Sequence, residues 1–151
     1  MANIKELFND QALMRELLLD HYQYPHNHEL VQDGTYLSKH MASASCIDDI
    51  TVQADIEDGT IRDLRFDGVA CTISTASTSI MTELLKGKTV EEAKRIIGEY
   101  MKMINNEEYD SEALEEANVF QNVYKQANRI KCATIGWDAV KEIIEEKENN
   151  G

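Results

Sequence analysis

The run Phe66-Asp67-Gly68-Val69-Ala70-Cys71-Thr72-Ile73-Ser74 joins two different patterns. Before it, Thr60 to Phe66 alternates apolar with polar residues, the period of a half-buried strand. After it, Ile73, Ala76, Ile80, Met81, Leu84 and Leu85 recur at helical spacing as far as about Lys86. A turn at this junction ends the strand near Phe66 and places Cys71 at the first turn of a helix. Unpaired backbone N–H groups point at the side chain there. Such a corner suits a metal ligand or a nucleophile.

Upstream of the junction, Ile50 to Ile56 alternates in the same way, and Glu57-Asp58-Gly59 supplies an Asp-Gly hairpin signal between the two runs. A weaker extended segment spans about Thr35 to Ala44. Nearer the start, Asn9 or Asp10 caps a helix carrying Leu13, Met14, Leu17 and Leu18, and Pro25 ends it near Tyr24. Downstream, Gly87 stops the helix that begins near Cys71, and Thr89-x-x-Glu92 forms a capping box opening the next, toward Ile104. Ser74, Thr75, Ser77, Thr78 and Ser79 are small enough to let their helix lie close to the sheet, so packing is their expected role. A short helix fits Ser111 to Phe120. Arg129 to Cys132 leads into a last helix with Ile135, Ala139, Val140, Ile143 and Ile144, and its acidic end, 146–151, is expected to fray, as are the first residues. The fold class is α+β: a small three-stranded antiparallel sheet (Thr35–Ala44, Ile50–Ile56 and Thr60–Phe66) with helices on one face, in a single domain spanning 1–151.

Charge and composition narrow the function. Fifteen basic against 28 acidic residues give a formal charge of −13, which excludes phosphate-dominated nucleic-acid binding. No apolar run reaches the length of a membrane span and no secretory signal opens the chain, so a cytoplasmic protein is expected. In that compartment Cys46, Cys71 and Cys132 do not read as a disulfide framework. Plain burial, metal binding and redox or catalytic use remain. No signal places His21, His26, His28 or His40 beside a cysteine as a base, and His26 and His28 read as solvated loop residues. A Cys-x-x-Cys pair and a glycine-rich nucleotide loop are both absent from the sequence. In an extended segment Cys46 and Asp48 project to the same side, with Asp49 facing away. Together with Cys71 and Cys132 they make a set of three thiolates and a carboxylate, which zinc accepts in tetrahedral geometry.

Asp20-His21-Tyr22-Gln23-Tyr24-Pro25-His26-Asn27 resembles the N-terminal signature of the U-type iron–sulfur cluster assembly family, which includes IscU, SufU and the N-terminal domain of NifU. The cysteines follow that family's order: Cys46-Ile47-Asp48 at its Cys-Gly-Asp, Cys71-Thr72-Ile73-Ser74 at its Cys-x-Ile-Ser, and Arg129-Ile130-Lys131-Cys132 at its Arg-x-x-Cys. The resemblance covers about residues 10 to 145. Lys131 stands where IscU-type chains carry a histidine. An acidic stretch, roughly Met101 to Val119, replaces their quick passage through a proline-rich motif to the last cysteine. Both features resemble the SufU branch. Ile47 and Ala70 depart from the pattern, standing where the family commonly has glycine.

The resemblance implies a metal site of Cys46, Asp48, Cys71 and Cys132 at one end of the sheet. It further implies a zinc-bound sulfur (persulfide) acceptor, with Cys46 as the reacting residue. Such a sulfurtransferase acts only together with a PLP-dependent, SufS-like cysteine desulfurase and passes sulfur to downstream iron–sulfur assembly proteins. Two alternatives stand beside it: a scaffold on which a [2Fe–2S] cluster or its iron is held by the same residues, and a non-catalytic module whose zinc only secures the fold.

Overall fold

The computed structural model describes residues 4–32, 34–42 and 47–150. A short helix α1 (Ile4–Leu7) precedes helix α2 (Gln11–Gln23), capped by Asp10, whose carboxylate accepts from the N–H groups of Ala12 and Leu13. Strands β1 (Leu37–Ala42), β2 (Asp49–Glu57) and β3 (Thr60–Val69) follow, then helices α3 (Thr72–Leu85) and α4 (Val90–Ile104). Three short 3₁₀ turns (Ser111–Ala113, Glu115–Phe120 and Val123–Lys125) lead into helix α5 (Ala127–Asn150).

The strands form one antiparallel sheet in the order β1-β2-β3. Its core face presents Ile50, Val52, Ala54 and Ile56 from β2 and Ile61, Leu64 and Phe66 from β3, all buried. Helices α3 and α5 lie against it, and α2 and α4 pack on them in turn. The reverse face carries Gln53, whose amide is held by the backbone of Val31 through bonds of 2.7 and 3.0 Å. This is the α+β layout the patterns predict.

The hairpin turn is set by Asp58 and Gly59, both at positive φ (53° and 74°), as an Asp-Gly two-residue turn requires. Alternation along β3 is less regular than the sequence suggests. Ile56 pairs with Ile61 but Asp55 pairs with Asp63, so Arg62 is an extra residue in a β-bulge. The bulge lets Ile61 and Leu64, three apart, face the same core.

Three elements differ from the sequence reading. The strand does not stop at Phe66. It runs through the expected turn to Val69, because Gly68 pairs with Ile50 at φ 136° and lies so near β2 that a Cβ there would fall 2.0 Å from the Asp49 carbonyl oxygen. Glycine permits both that conformation and that approach. Cys132 is not at a helix start. Helix α5 opens at Ala127, which places this thiol in the second turn. The stretch expected as a helix from Ser111 to Phe120 is a pair of 3₁₀ turns instead. Helix α5 continues to Asn150, and ion pairs from Lys39 to Glu146 (3.1 Å) and from Lys94 to Glu148 join its last turns to β1 and α4. The capping box of Thr89 and Glu92 is present as read.

Small residues bring α3 close to α5. A Cβ on Gly136 of α5 would come within 2.4 Å of the Thr78 hydroxyl. Where hydroxyls are buried they find partners: Thr78 donates to the Ser74 carbonyl (2.8 Å) and Thr82 to that of Ser79 (2.7 Å).

Asp63 joins three parts of the chain. It accepts from the Tyr36 hydroxyl (2.6 Å) and Arg65 Nε (2.7 Å) and pairs with Lys86 at the end of α3 (3.2 Å). Burial by itself raises its pKa, but the bonds from Tyr36, Arg65 and Lys86 outweigh burial and hold the carboxyl at about 2, below its usual 3.8. A depressed folded pKa gives stability that is complete above the unfolded value and lost as pH falls through the folded one. Asp63→Asn should therefore cost about 2 kcal/mol near neutral pH. The difference from the parent chain should shrink between about pH 4 and pH 2, as read by urea denaturation at each pH. Gly68→Ala should cost about 2 kcal/mol or more through the forced φ and the clash with Asp49. Equal denaturation midpoints for that variant and the parent would show that the strand can shift.

Candidate metal centre

The end of β3, the start of α3 and the start of β2 meet at one corner of the sheet. Asp49 pairs with Val69, so Asp48 reaches the backbone just beyond β3, where α3 begins. Cys71 is the N-cap of α3: its Sγ accepts from the Ser74 N–H (3.4 Å), a role usually filled by Ser, Thr or Asp. The Cys71 N–H donates to Asp48 Oδ1 (2.9 Å), and the Ser74 hydroxyl donates to Asp48 Oδ2 in a short bond. Ser74 Oγ is also 3.3 Å from Cys71 Sγ. Asp48, only 2% exposed, is thus a buried carboxylate docked on a helix N-terminus, where the dipole and free N–H groups favour negative charge.

Cys132 enters from α5. A buried polar knot fixes that helix against α3 one residue further on. Ser77 Oγ and the Tyr100 hydroxyl each donate to the Ala133 carbonyl (2.6 Å), while Trp137 Nε1 donates to Ser77 Oγ (3.0 Å). The Tyr100 and Trp137 rings stack at 3.7 Å. With α5 so placed, Asp48, Cys71 and Cys132 each offer a donor atom, and the three lie within 4.8 Å of one another. Among the described residues no other group of His, Cys, Asp and Glu meets that condition. Two sulfurs and one carboxylate oxygen suit zinc or iron and do not suit magnesium or calcium.

The sequence-predicted set therefore divides. Asp48, Cys71 and Cys132 come together; Cys46 and its expected alignment with Asp48 lie outside the described residues. Asp49 does turn away, to His40 at 2.6 Å. Ile47, in a position commonly glycine in the resembled family, is 66% exposed, as is Val69, so two apolar side chains flank the cluster at the surface.

Two residues of the neighbourhood are not visible in the pattern. Ser74 binds both Asp48 and Cys71, a contact hinted at only by its place three residues after a cysteine N-cap. His21, assigned no role from spacing, is buried, with Nδ1 2.7 Å from Ser79 Oγ and Nε2 2.9 Å from Glu116 Oε2. The bond from His21 holds the Glu116 carboxyl below its ordinary range. This pair ties α2 to α3 and the second 3₁₀ turn, away from the thiols. His26 and His28 do lie at the surface, each beside a carboxylate (Glu83 and Asp67).

A three-stranded sheet backed by helices, with thiols and a carboxylate gathered at one end, defines a class of small α+β domains that bring soft sulfur donors to one accessible point. The sequence comparisons name the class. The model of the NifU-like N-terminal domain matches residues 13–133, and the chain belongs to this family of iron–sulfur cluster assembly scaffold proteins, with SufU and IscU among its relatives. It is 33% identical over 141 residues to the zinc-dependent sulfurtransferase SufU of Bacillus subtilis, covering 93% of this chain and 95% of that one. It is 35% identical over 138 residues to the iron–sulfur cluster assembly scaffold protein IscU of Streptococcus pyogenes, covering 91% and 86%. Among solved structures, one given as a scaffold for the SUF system of Fervidobacterium islandicum superposes with a TM-score of 0.79 at 26% identity, over 85% of this chain and 94% of that one. The N-terminal NifU-like protein of Brucella abortus gives 0.81 at 20% identity over 90% and 94%, a likeness of fold alone.

The exposures of the two thiols lead to a simple test. Cys71 is partly exposed at its corner, whereas Cys132 is 4% exposed inside the second turn of α5. In metal-free protein, limiting iodoacetamide should label Cys71 well ahead of Cys132 by peptide mass spectrometry. The difference should vanish in denaturant. Equal native rates would mean that α5 opens on the labelling timescale.

Proposed function

We propose that this chain is a zinc-binding sulfur acceptor in iron–sulfur cluster assembly, receiving sulfur as a persulfide from a PLP-dependent cysteine desulfurase in the cytoplasm. The observation that carries this reading is the convergence of Asp48, Cys71 and Cys132 within 4.8 Å at a surface corner. Its likeness over nearly the full chain to a protein named for zinc-dependent sulfur transfer supports it. Among the described residues no helix is long and apolar enough to cross a membrane.

Cys46, Asp48, Cys71 and Cys132 are the residues that would hold zinc, and zinc when bound keeps cysteine sulfurs deprotonated near neutral pH without redox chemistry. Asp48, Cys71 and Cys132 are the holding group, because strand pairing, a helix N-cap and a packed helix anchor them. Cys46, which the sequence sets in a small-residue loop ahead of the hairpin, is the acceptor. Its thiolate attacks the outer sulfur of the desulfurase persulfide. A new S–S bond forms to Cys46 as the bond to the desulfurase cysteine breaks, and that cysteine leaves as a thiolate. The exchange is redox-neutral and needs no proton at the bond-forming step. Exposed Ile47 and Val69 beside the cluster give the donor protein an apolar rim to contact.

A second reading is favoured by the likeness to proteins named as scaffolds: the same residues hold iron and sulfide while a [2Fe–2S] cluster, the cargo, is built. Incubation with a cysteine desulfurase and cysteine, followed by non-reducing mass spectrometry, distinguishes the two. The acceptor reading expects a gain of one sulfur atom on Cys46 and faster desulfurase turnover, both lost in Cys46→Ala. A reducible visible chromophore after adding iron, without that mass gain, would replace it with the scaffold reading. If neither appears and chelation of zinc unfolds the chain, the site is a structural zinc module.

A further inference from the structure

Ser74 is buried completely, yet its side chain has a task that the burial of a small residue does not require. The threonine hydroxyls Thr78, Thr82 and Thr134 turn back to their own helix, to the carbonyls of Ser74, Ser79 and Ile130, whereas Ser77 and Ser79 reach across to the Ala133 carbonyl and to His21 in packing contacts away from the cluster. Ser74 sits in the first turn of α3 and sends its proton across to Asp48 Oδ2, on a different element. Its backbone N–H reaches Cys71 Sγ, and its Oγ stands 3.3 Å from the same sulfur. One residue thus contacts two of the three converging donors from two directions. The Cys71 N–H takes the other oxygen of the carboxylate, so the plane of Asp48 is fixed by two donors from one helix turn.

A carboxylate with free rotation about its last bond can face the thiols in many ways, and ordering it costs side-chain entropy when a cation arrives. We infer that Ser74 is a positioning residue for metal binding: its hydroxyl locks the Asp48 carboxylate in the orientation that faces Cys71 and Cys132. It does so before any cation binds. Alanine at this position would keep the helix and nearly all the volume and remove only the donor. Outer partners that orient metal-binding side chains in this way typically contribute a 10–100-fold factor in affinity.

This inference rests on the metal-site reading above, and the experiment separates the two. Zinc affinity of the full chain is measured by competition with a chromophoric chelator, and cobalt(II) is added separately as a spectroscopic probe of the donor set. The same measurements are made on Ser74→Ala, Asp48→Ala and the double variant. Ser74→Ala should bind zinc about 10–100-fold more weakly. It should also alter the visible cobalt bands, while the metal-free variant keeps the parent's thermal midpoint within a few degrees. In the Asp48→Ala background the Ser74→Ala effect should vanish, because Ser74 acts through that carboxylate. An unchanged affinity and spectrum for Ser74→Ala would overturn the assignment, as would an equal loss without Asp48. Should the alanine variant fold poorly, Ser74→Gly, which removes the hydroxyl without adding a donor atom, decides: an affinity lowered by about tenfold or more supports the lock and a parental one refutes it. If the parent chain itself takes up neither metal, the metal-site reading has failed, independently of Ser74.

Discussion

The docking of Asp48 on the first turn of α3 is the interaction on which the rest of the site depends. A carboxylate taken out of water is costly unless donors replace its hydration, and here the Cys71 N–H and the Ser74 hydroxyl do so. The same contact closes the corner between the start of β2 and the exit of β3. Break it, and the buried Asp48 carboxylate loses the two donors of the first turn of α3, while Cys71 loses the carboxylate that its N–H holds. Structure and site are therefore one object at this corner. A buried polar contact of the fold is also where its soft donors gather.

Two features elsewhere make the corner possible. Gly68 lets β3 continue past the bulk of its hydrophobic pattern and press against the Asp49 carbonyl, which brings the two chain segments to the spacing the Asp48 contact needs. The knot of Ser77, Tyr100, Trp137 and the Ala133 carbonyl sets α5 in depth against α3. Burial raises the Tyr100 phenol well above its ordinary value, so it stays a neutral donor in that knot. Cys132 is delivered by this packing from the second turn of its helix. The position gives it burial on the site's inner side, while Cys71 is partly exposed. An inner and an outer thiol, with a rim of Ile47 and Val69, suit a site that must retain something and also present it to a partner.

Much of the fold was legible because it is local. Asp58-Gly59 forces a two-residue turn, Thr89 and Glu92 cap each other, and Pro25 closes the helix begun at Asp10, each within a few residues of chain. Family likeness was also legible, because the cysteine order and the residues around it do not depend on any contact being seen. The bulge at Arg62 was not, since an extra residue shows itself only when two strands are paired. The extension of β3 to Val69 was hidden for the same reason: Gly68 reads as a turn glycine until Asp49 is set beside it. Cys132 reads as a helix-start residue because polar Asn128 and Arg129 give no apolar beat to mark where α5 begins.

By itself, then, the sequence determined most of the elements, the family and the identity of the candidate donors, because periodicity, capping and motif order are carried by neighbouring residues. Only the tertiary structure decided that Asp48, Cys71 and Cys132 share one corner, that Ser74 holds the carboxylate there, and that His21 stands apart in a separate buried contact. Those facts come from strand register and helix packing between distant segments, and no local pattern carries the distance between two side chains that meet only when the chain is folded.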